Sequence, residues 1–293
     1  MAATARPRRS VLYMPGVNAR ALEKGRTLPA DTIIMDLEDA VTPDAKEGAR
    51  AQIVAAIAAG GYGGRELVVR VNALSTQWGA ADMAAVADCG ADAILLPKVE
   101  DAAAVREALG VMDQHGAPER CALWCMMETP LGILNAREIA GASPRLGALV
   151  MGTSDLAKDL HAAHTAARLP LLTSLSLCIL AARAYGLAVL DGVYLDLADD
   201  AGFTEACRQG AELGFDGKTL IHPKTIDAAN RAFAPQPADI EWSRRIIEAH
   251  GAAETEGKGV VLVDGKLIEN LHVEEARRLV ALAEQIESLA AGA

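Results

Sequence analysis

Glu128 and Asp155 each stand just beyond a short apolar run, CMM before the first and LVMGTS before the second. If those runs are neighbouring strands of one sheet, both carboxylates reach the same edge. Such a pair, with room for water and ligand oxygens, suits Mg2+, which keeps several waters and takes one or two protein carboxylates. Two solvated loop acids would leave the same trace in the sequence. Arg70 closes the run LVVR. Its planar fork suits a bidentate carboxylate, from a ligand or from an acid of the chain itself. Gly152-Thr153-Ser154 opens a short helix, whose free N–H groups offer a second carboxylate site. Glu38 and Asp39 are adjacent and diverge in an extended chain. One of them can face a metal-bound water while the other caps the helix after Thr42. Cation, guanidinium and amides together point at an α-hydroxy or α-keto acid.

These residues need a scaffold that brings distant segments to one mouth. The runs Ser10–Met14, Thr32–Leu37, Glu66–Val71, Ala93–Pro97, Leu123–Met127, Ala148–Gly152, Ala188–Leu190 and Phe215–Ile221 are largely apolar without alternation. That is how strands covered on both faces of a parallel sheet read. Ala-rich amphipathic stretches fill the gaps, at about 19–28, 43–59, 80–88, 101–112, 133–140, 172–185 and 203–213, with another at 223–233. Strict strand–helix alternation predicts a (β/α)8 TIM barrel spanning residues 9–236, with chemistry at the C-terminal ends of its strands. A doubly wound open sheet is the other reading, but no run is followed by GxGxxG or GxxxxGK[ST]. Nearly every run ends in a polar residue: Asp36, Asn72, Lys98, Asp191, Lys218 and His222 join those above, and all are expected to converge. His222 reads more readily as a contact of the following helix. His161 and His164 read as surface residues, and Trp124 as core. Residues 237–293 break the pattern. A helix (239–256), Gly257-Lys258-Gly259, a hairpin turning at Asp264-Gly265 and a last helix (273–289) predict a lid or subunit-contact extension.

The 293 residues are 51% hydrophobic and 23% charged, an ordinary globular balance. With 28 Lys+Arg against 39 Asp+Glu, the net charge of -11 argues against nucleic acid or an anionic membrane as partner. No apolar run approaches the roughly 18 residues that span a bilayer. The basic start, Met1–Arg9, runs into a strand-like segment instead of a signal-peptide core. A cytoplasmic chain is expected. Five cysteines make no disulfide framework and read as packing.

The segments RSVLYMPG, DLEDAV, RVN, LPKVE, METPLGILN, GTSDLAKDL, DGVY, GFDGKTLIHP and DGKLIENLH resemble, in kind and order, the citrate lyase beta-subunit-like (HpcH/HpaI aldolase) superfamily. The likeness is strongest to its stand-alone acyl-CoA lyase branch, which holds malyl-CoA and citramalyl-CoA lyases and (3S)-malyl-CoA thioesterases. The resemblance implies a homotrimeric or hexameric TIM barrel whose lid closes over a neighbouring subunit's site. It implies Mg2+ (or Mn2+ in its place) on Glu128 and Asp155, and Arg70 on the oxygens of a small 2-oxoacid. It puts the backbone of Gly152 and Thr153 on that acid's carboxylate, and Glu38 and Asp39 in the water and hydrogen-bond shell. Tyr13 and Lys24 match positions that contact coenzyme A in malyl-CoA lyases. Asn18 stands where those lyases carry arginine, and Glu269 where they carry a lid aspartate. The implied reaction is reversible cleavage of a malyl-CoA-like thioester to acyl-CoA plus glyoxylate or pyruvate. Metal hydroxide, Asp39 or Glu269 would serve as base. Hydrolysis of the same thioester to malate and CoA is the alternative. Service as the beta subunit of a citrate lyase assembly, with an acyl-carrier partner, ranks third.

Overall fold

The computed structural model describes residues 6–255 and 259–291. Eight parallel strands close into a barrel in sequence order. They are β1 (Ser10–Pro15), β2 (Thr32–Asp36), β3 (Glu66–Arg70), β4 (Ala93–Leu96), β5 (Ala122–Met127), β6 (Leu146–Met151), β7 (Ala188–Asp191) and β8 (Gly217–Leu220). The (β/α)8 architecture expected from the alternation is the one observed. The non-alternating apolar runs have a direct cause. Val11, Ile34, Val68, Leu95, Trp124, Val150 and Leu190 fill the barrel interior. Their chain neighbours, such as Leu12, Ile33, Val69, Ile94 and Leu149, point outward and are buried under the helices.

The surrounding helices are α1 (Ala19–Gly25), α2 (Lys46–Ala59), α3 (Gly79–Val86), α4 (Ala102–Gln114), α5 (Pro130–Leu134), α6 (Ala136–Ala140), α7 (Thr153–Asp159), α8 (Leu172–Ala184), α9 (Asp200–Leu213) and α10 (Ile226–Ala232). Capping sets several of their starts: Asp101 accepts from the Ala104 N–H, and Thr129 from the Gly132 N–H just before Pro130. The single helix expected over 133–140 is two, because Asn135 leaves helical geometry (φ -95°, ψ 10°) and donates its amide to the Glu100 carbonyl. The run at 215–221 yields only a four-residue strand. There Gly217 lies so close to the Arg8 carbonyl that a Cβ would sit 1.8 Å from its oxygen.

Residues 8–233 form one compact unit, and 234–293 belong to a second. In the second, α11 (Pro237–Thr255) and α12 (Asn270–Ala291) pack with an antiparallel hairpin, β9 (Val261–Val263) and β10 (Lys266–Ile268). Ile246, Val263, Ile268 and Val273 are its core. Asp264 and Gly265 both have positive φ (50° and 75°), as a tight type I′ turn requires. The expected end of the preceding helix at Glu256 and the Gly257-Lys258 turn lie outside the described residues.

Candidate active site

β5 and β6 pair directly, with Met127 opposite Met151, so the residues just past their ends share one edge. Glu128 follows β5 and is 3% exposed. Asp155 lies in the first turn of α7. The close approach depends on Gly152 between them, where a Cβ would lie 2.4 Å from the Glu128 Cβ. A third strand end supplies the counter-charge. The Lys98 backbone N–H donates to Glu128 Oε1 at 2.8 Å. Its ammonium pairs with Asp155 and lies 3.7 Å from Glu128 Oε1. Burial pushes the Glu128 pKa up, against the pull of Lys98 and Arg70. Among the described residues no group of three or more His, Cys, Asp and Glu could enclose a metal. Two carboxylates with positions left for water are the donor set of Mg2+, not of an all-protein cage.

Arg70 ends β3 directly opposite Asp36, the last residue of β2. Its Nε and one terminal nitrogen each reach an Asp36 oxygen at 2.7 Å. The fork that suited a ligand carboxylate is therefore closed on an acid of the chain. The other terminal nitrogen, Nη1, pairs with Glu38 at 2.8 Å and Asp39 at 3.3 Å. Tyr13 underlies the group, with the guanidinium carbon 4.8 Å from the ring centroid. Burial alone would depress the Arg70 pKa, but the Asp36 hydrogen bonds and the surrounding charges hold it well above its ordinary value.

The loop after β2 is fixed from below. Asp36 accepts from the N–H groups of Glu38 and Ala40. The buried Lys46 ammonium donates to the Leu37 and Glu38 carbonyls and to Asn72 Oδ1, each at 2.8 Å. Glu38 is thereby turned towards Arg70. Burial pushes its pKa up to about 7, and the neighbouring acids add to this against the opposing pull of Arg70. Asp39 is 76% exposed.

A cavity of about 330 Å3 opens here, with Tyr13, Asp39, Arg70, Glu128, Gly152 and Asp155 among its walls. Thr153 also lines it, but the Gly152 N–H is spent on the Met127 carbonyl. Gly152 serves the site by its missing side chain more than by its amide. Lys24 lies in the last turn of α1, exposed and outside this lining. Glu269 is exposed in the second unit, ahead of α12, where its N–H donates to His272 Nδ1.

The expected convergence of every strand end does not occur. Asp191 and Lys218 pair at 2.8 Å in a buried cluster with Arg168. Both side chains leave the strands on the helix-facing side, opposite to Leu190 and Thr219. Asn72 is absorbed by Lys46 and Asp82. His222 Nδ1 caps the following turn by accepting from the Lys224 N–H. His161 and His164 are exposed and Trp124 is fully buried, as their settings in the sequence suggested. In the sequence Asp36 and Lys98 stand out only as polar strand ends, and Lys46 not at all. Their signal is the partner each meets, which lies on another strand.

The fold and site define a (β/α)8-barrel protein with acids and cations gathered where β2 to β6 end. The chain belongs to the HpcH/HpaI aldolase/citrate lyase family, whose profile matches residues 9–223. It is 50% identical over 291 residues to a (3S)-malyl-CoA thioesterase of Cereibacter sphaeroides, covering 99% of this chain and 100% of that one. It is 37% identical to the citrate lyase subunit beta of Escherichia coli, covering 95% and 94%. Among solved structures, it is similar to protein CitE of Mycobacterium tuberculosis in complex with magnesium, acetoacetate and coenzyme A. That match has 29% identity and a TM-score of 0.74, over 96% of this chain and 100% of the other.

Proposed function

We propose that the chain is a Mg2+-dependent enzyme that splits a (3S)-malyl-CoA-like 3-hydroxyacyl-CoA, reversibly, into an acyl-CoA and glyoxylate or pyruvate. One observation carries this reading: Glu128 and Asp155 share a single cation at the wall of a cavity that Arg70 also lines. The donors fit a hard divalent ion, since both offer oxygen and an ammonium already stands where positive charge is needed. Glu128 and Asp155 would hold the metal, with Mn2+ as a substitute. When bound, it supplies Lewis-acid stabilisation of the substrate's hydroxyl and carboxylate oxygens.

The chain's own groups do the rest. Arg70, fixed by Asp36, presents charge to the oxygen that becomes the carbonyl of the oxoacid. Glu38, poised near neutrality and paired with Arg70, takes up the hydroxyl proton by way of Asp39, the acid that lines the cavity. The bond between the hydroxyl-bearing carbon and its neighbour then breaks, and its electron pair passes into the thioester enolate. Return of the same proton to the α-carbon of the enolate completes the acyl-CoA. Tyr13 and Met126 back Arg70 and keep that face of the cavity apolar. Thr153 at the start of α7 holds the small acid's carboxylate, and Lys24 reaches coenzyme A. The activity belongs in the cytoplasm, in a homo-oligomer in which residues 237–293 act as a lid over a neighbouring subunit's site and bring Glu269 to it.

Hydrolysis of the same thioester to malate and CoA is the second reading, favoured by the name of the relatives at 50% identity. Both reactions use one binding mode and differ in the bond broken. Malyl-CoA supplied to the Mg2+-loaded protein tells them apart: glyoxylate with acetyl-CoA marks the lyase, free malate without glyoxylate the thioesterase. Glu128→Ala is expected to abolish turnover of either kind, and full activity in that variant would end both readings.

A further inference from the structure

Lys98 combines three features that its strand-end position alone does not require. Its backbone lies in the left-handed region (φ 53°), a conformation that costs a lysine energy. Its N–H holds Glu128 Oε1 at 2.8 Å. Its ammonium pairs with Asp155 and sits 3.7 Å from the same Glu128 oxygen, between the two acids assigned to the metal. The side chain is 39% exposed, so solvent is open to it. An ammonium and a divalent ion cannot share that position, because like charges at contact repel and both would need the same carboxylate oxygens.

We propose that the Lys98 ammonium is a built-in counter-ion. It holds Glu128 and Asp155 together before the metal arrives and is displaced by it, so Lys98 sets the affinity of the metal site. This rests on the assignment of the metal to Glu128 and Asp155. The two attachments of Lys98 are separable. The backbone N–H keeps Glu128 in place while the flexible stem swings the charge out. Metal entry then exchanges one cation for another and need not rebuild the site. If the ammonium occupies the pair in about nine molecules of ten, the apparent Kd for metal is roughly tenfold weaker than that of the vacant pair.

The test strips wild type, Lys98→Met, Lys98→Arg and Asp155→Asn of metal and titrates each with Mg2+ by calorimetry. Thermal unfolding is followed with and without the ion. Lys98→Met is expected to bind Mg2+ roughly tenfold more tightly than wild type. Its metal-free Tm should be lower and its gain in Tm on adding Mg2+ larger. Lys98→Arg, which keeps the charge, should bind no more tightly than wild type. Lys98→Asn, too short to reach Asp155 and suited to positive φ, provides the same comparison should Lys98→Met fail to fold. Unchanged or weaker binding in the neutral variants overturns the proposal. Wild-type binding in Asp155→Asn instead overturns the assignment of the metal, a separate and distinguishable failure.

Discussion

Asp36 and Arg70 face each other across β2 and β3, and Arg70 donates two hydrogen bonds of 2.7 Å to the carboxylate of Asp36, which is 1% exposed. The pair leaves a single guanidinium nitrogen, Nη1, towards Glu38 and Asp39. Arg70 is therefore held as a fixed positive point instead of an open clamp.

Removing the Asp36 charge should expose that dependence. Asp36→Ala leaves a buried guanidinium without its main partner, and loss of one member of such a pair costs about 3 kcal/mol. A misplacement of the cation by about 1 Å costs on the order of a hundredfold in kcat/KM. Urea unfolding measures the first effect and steady-state kinetics the second. Wild-type values for both would show that Arg70 is positioned by something else.

Gly152→Ala tests the packing beneath the acid pair. The new methyl group would overlap the Glu128 side chain, 2.4 Å from its Cβ and 2.5 Å from Oε2. Glu128 must move, and the expected outcome is a Kd for Mg2+ weakened by at least about tenfold, on the scale of outer-shell changes at metal sites. A circular dichroism spectrum like that of wild type would show that the barrel persists, and unchanged metal affinity would refute the steric argument.

Glu38 predicts a pH effect with a definite sign. Its carboxyl moves from an ordinary 4.5 to about 7 on folding, chiefly through burial. Within that window the folded protein keeps a proton that the unfolded chain has released, so this group makes stability fall as pH rises. Below the window both states are protonated and the contribution is fully present. Activity runs the other way, because a base must be ionised, and kcat/KM should rise through an inflection near 7. Glu38→Gln should flatten both profiles. A persisting inflection in that variant would move the base elsewhere.

Lys218 offers a control away from the site. It is 1% exposed and shares Asp191 with Arg168 on the helix side of the barrel. Lys218→Met should cost about 3 kcal/mol of stability, as breaking a buried pair does. Its metal affinity should not change.

The barrel was legible because its period is written in every strand: a run apolar on both faces belongs to a parallel sheet, and eight such runs alternate with helices. That Glu128, Asp155 and Arg70 share one cavity was legible because Glu128 and Arg70 directly close apolar runs and Asp155 follows one within a turn of helix. Side-chain direction was less so. Asp191 ends β7 and Lys218 lies within β8, yet a one-residue step along a strand reverses the face, and theirs is the outer one. Asp36 and Lys98 were hidden for a different reason. Their roles lie in pairings across 34 and 57 residues of sequence, Asp36 to Arg70 and Lys98 to Asp155. No local pattern encodes these. The break at Asn135 likewise depends on a carbonyl 35 residues away.

The most direct measurement is the anomalous scattering of Mn2+ soaked into crystals of the wild-type protein. One strong peak is expected between the carboxylates of Glu128 and Asp155, with the Lys98 ammonium withdrawn and Arg70 still clasped by Asp36. A peak at other residues, or an intact Lys98–Asp155 pair in crystals whose protein turns over malyl-CoA, would contradict it.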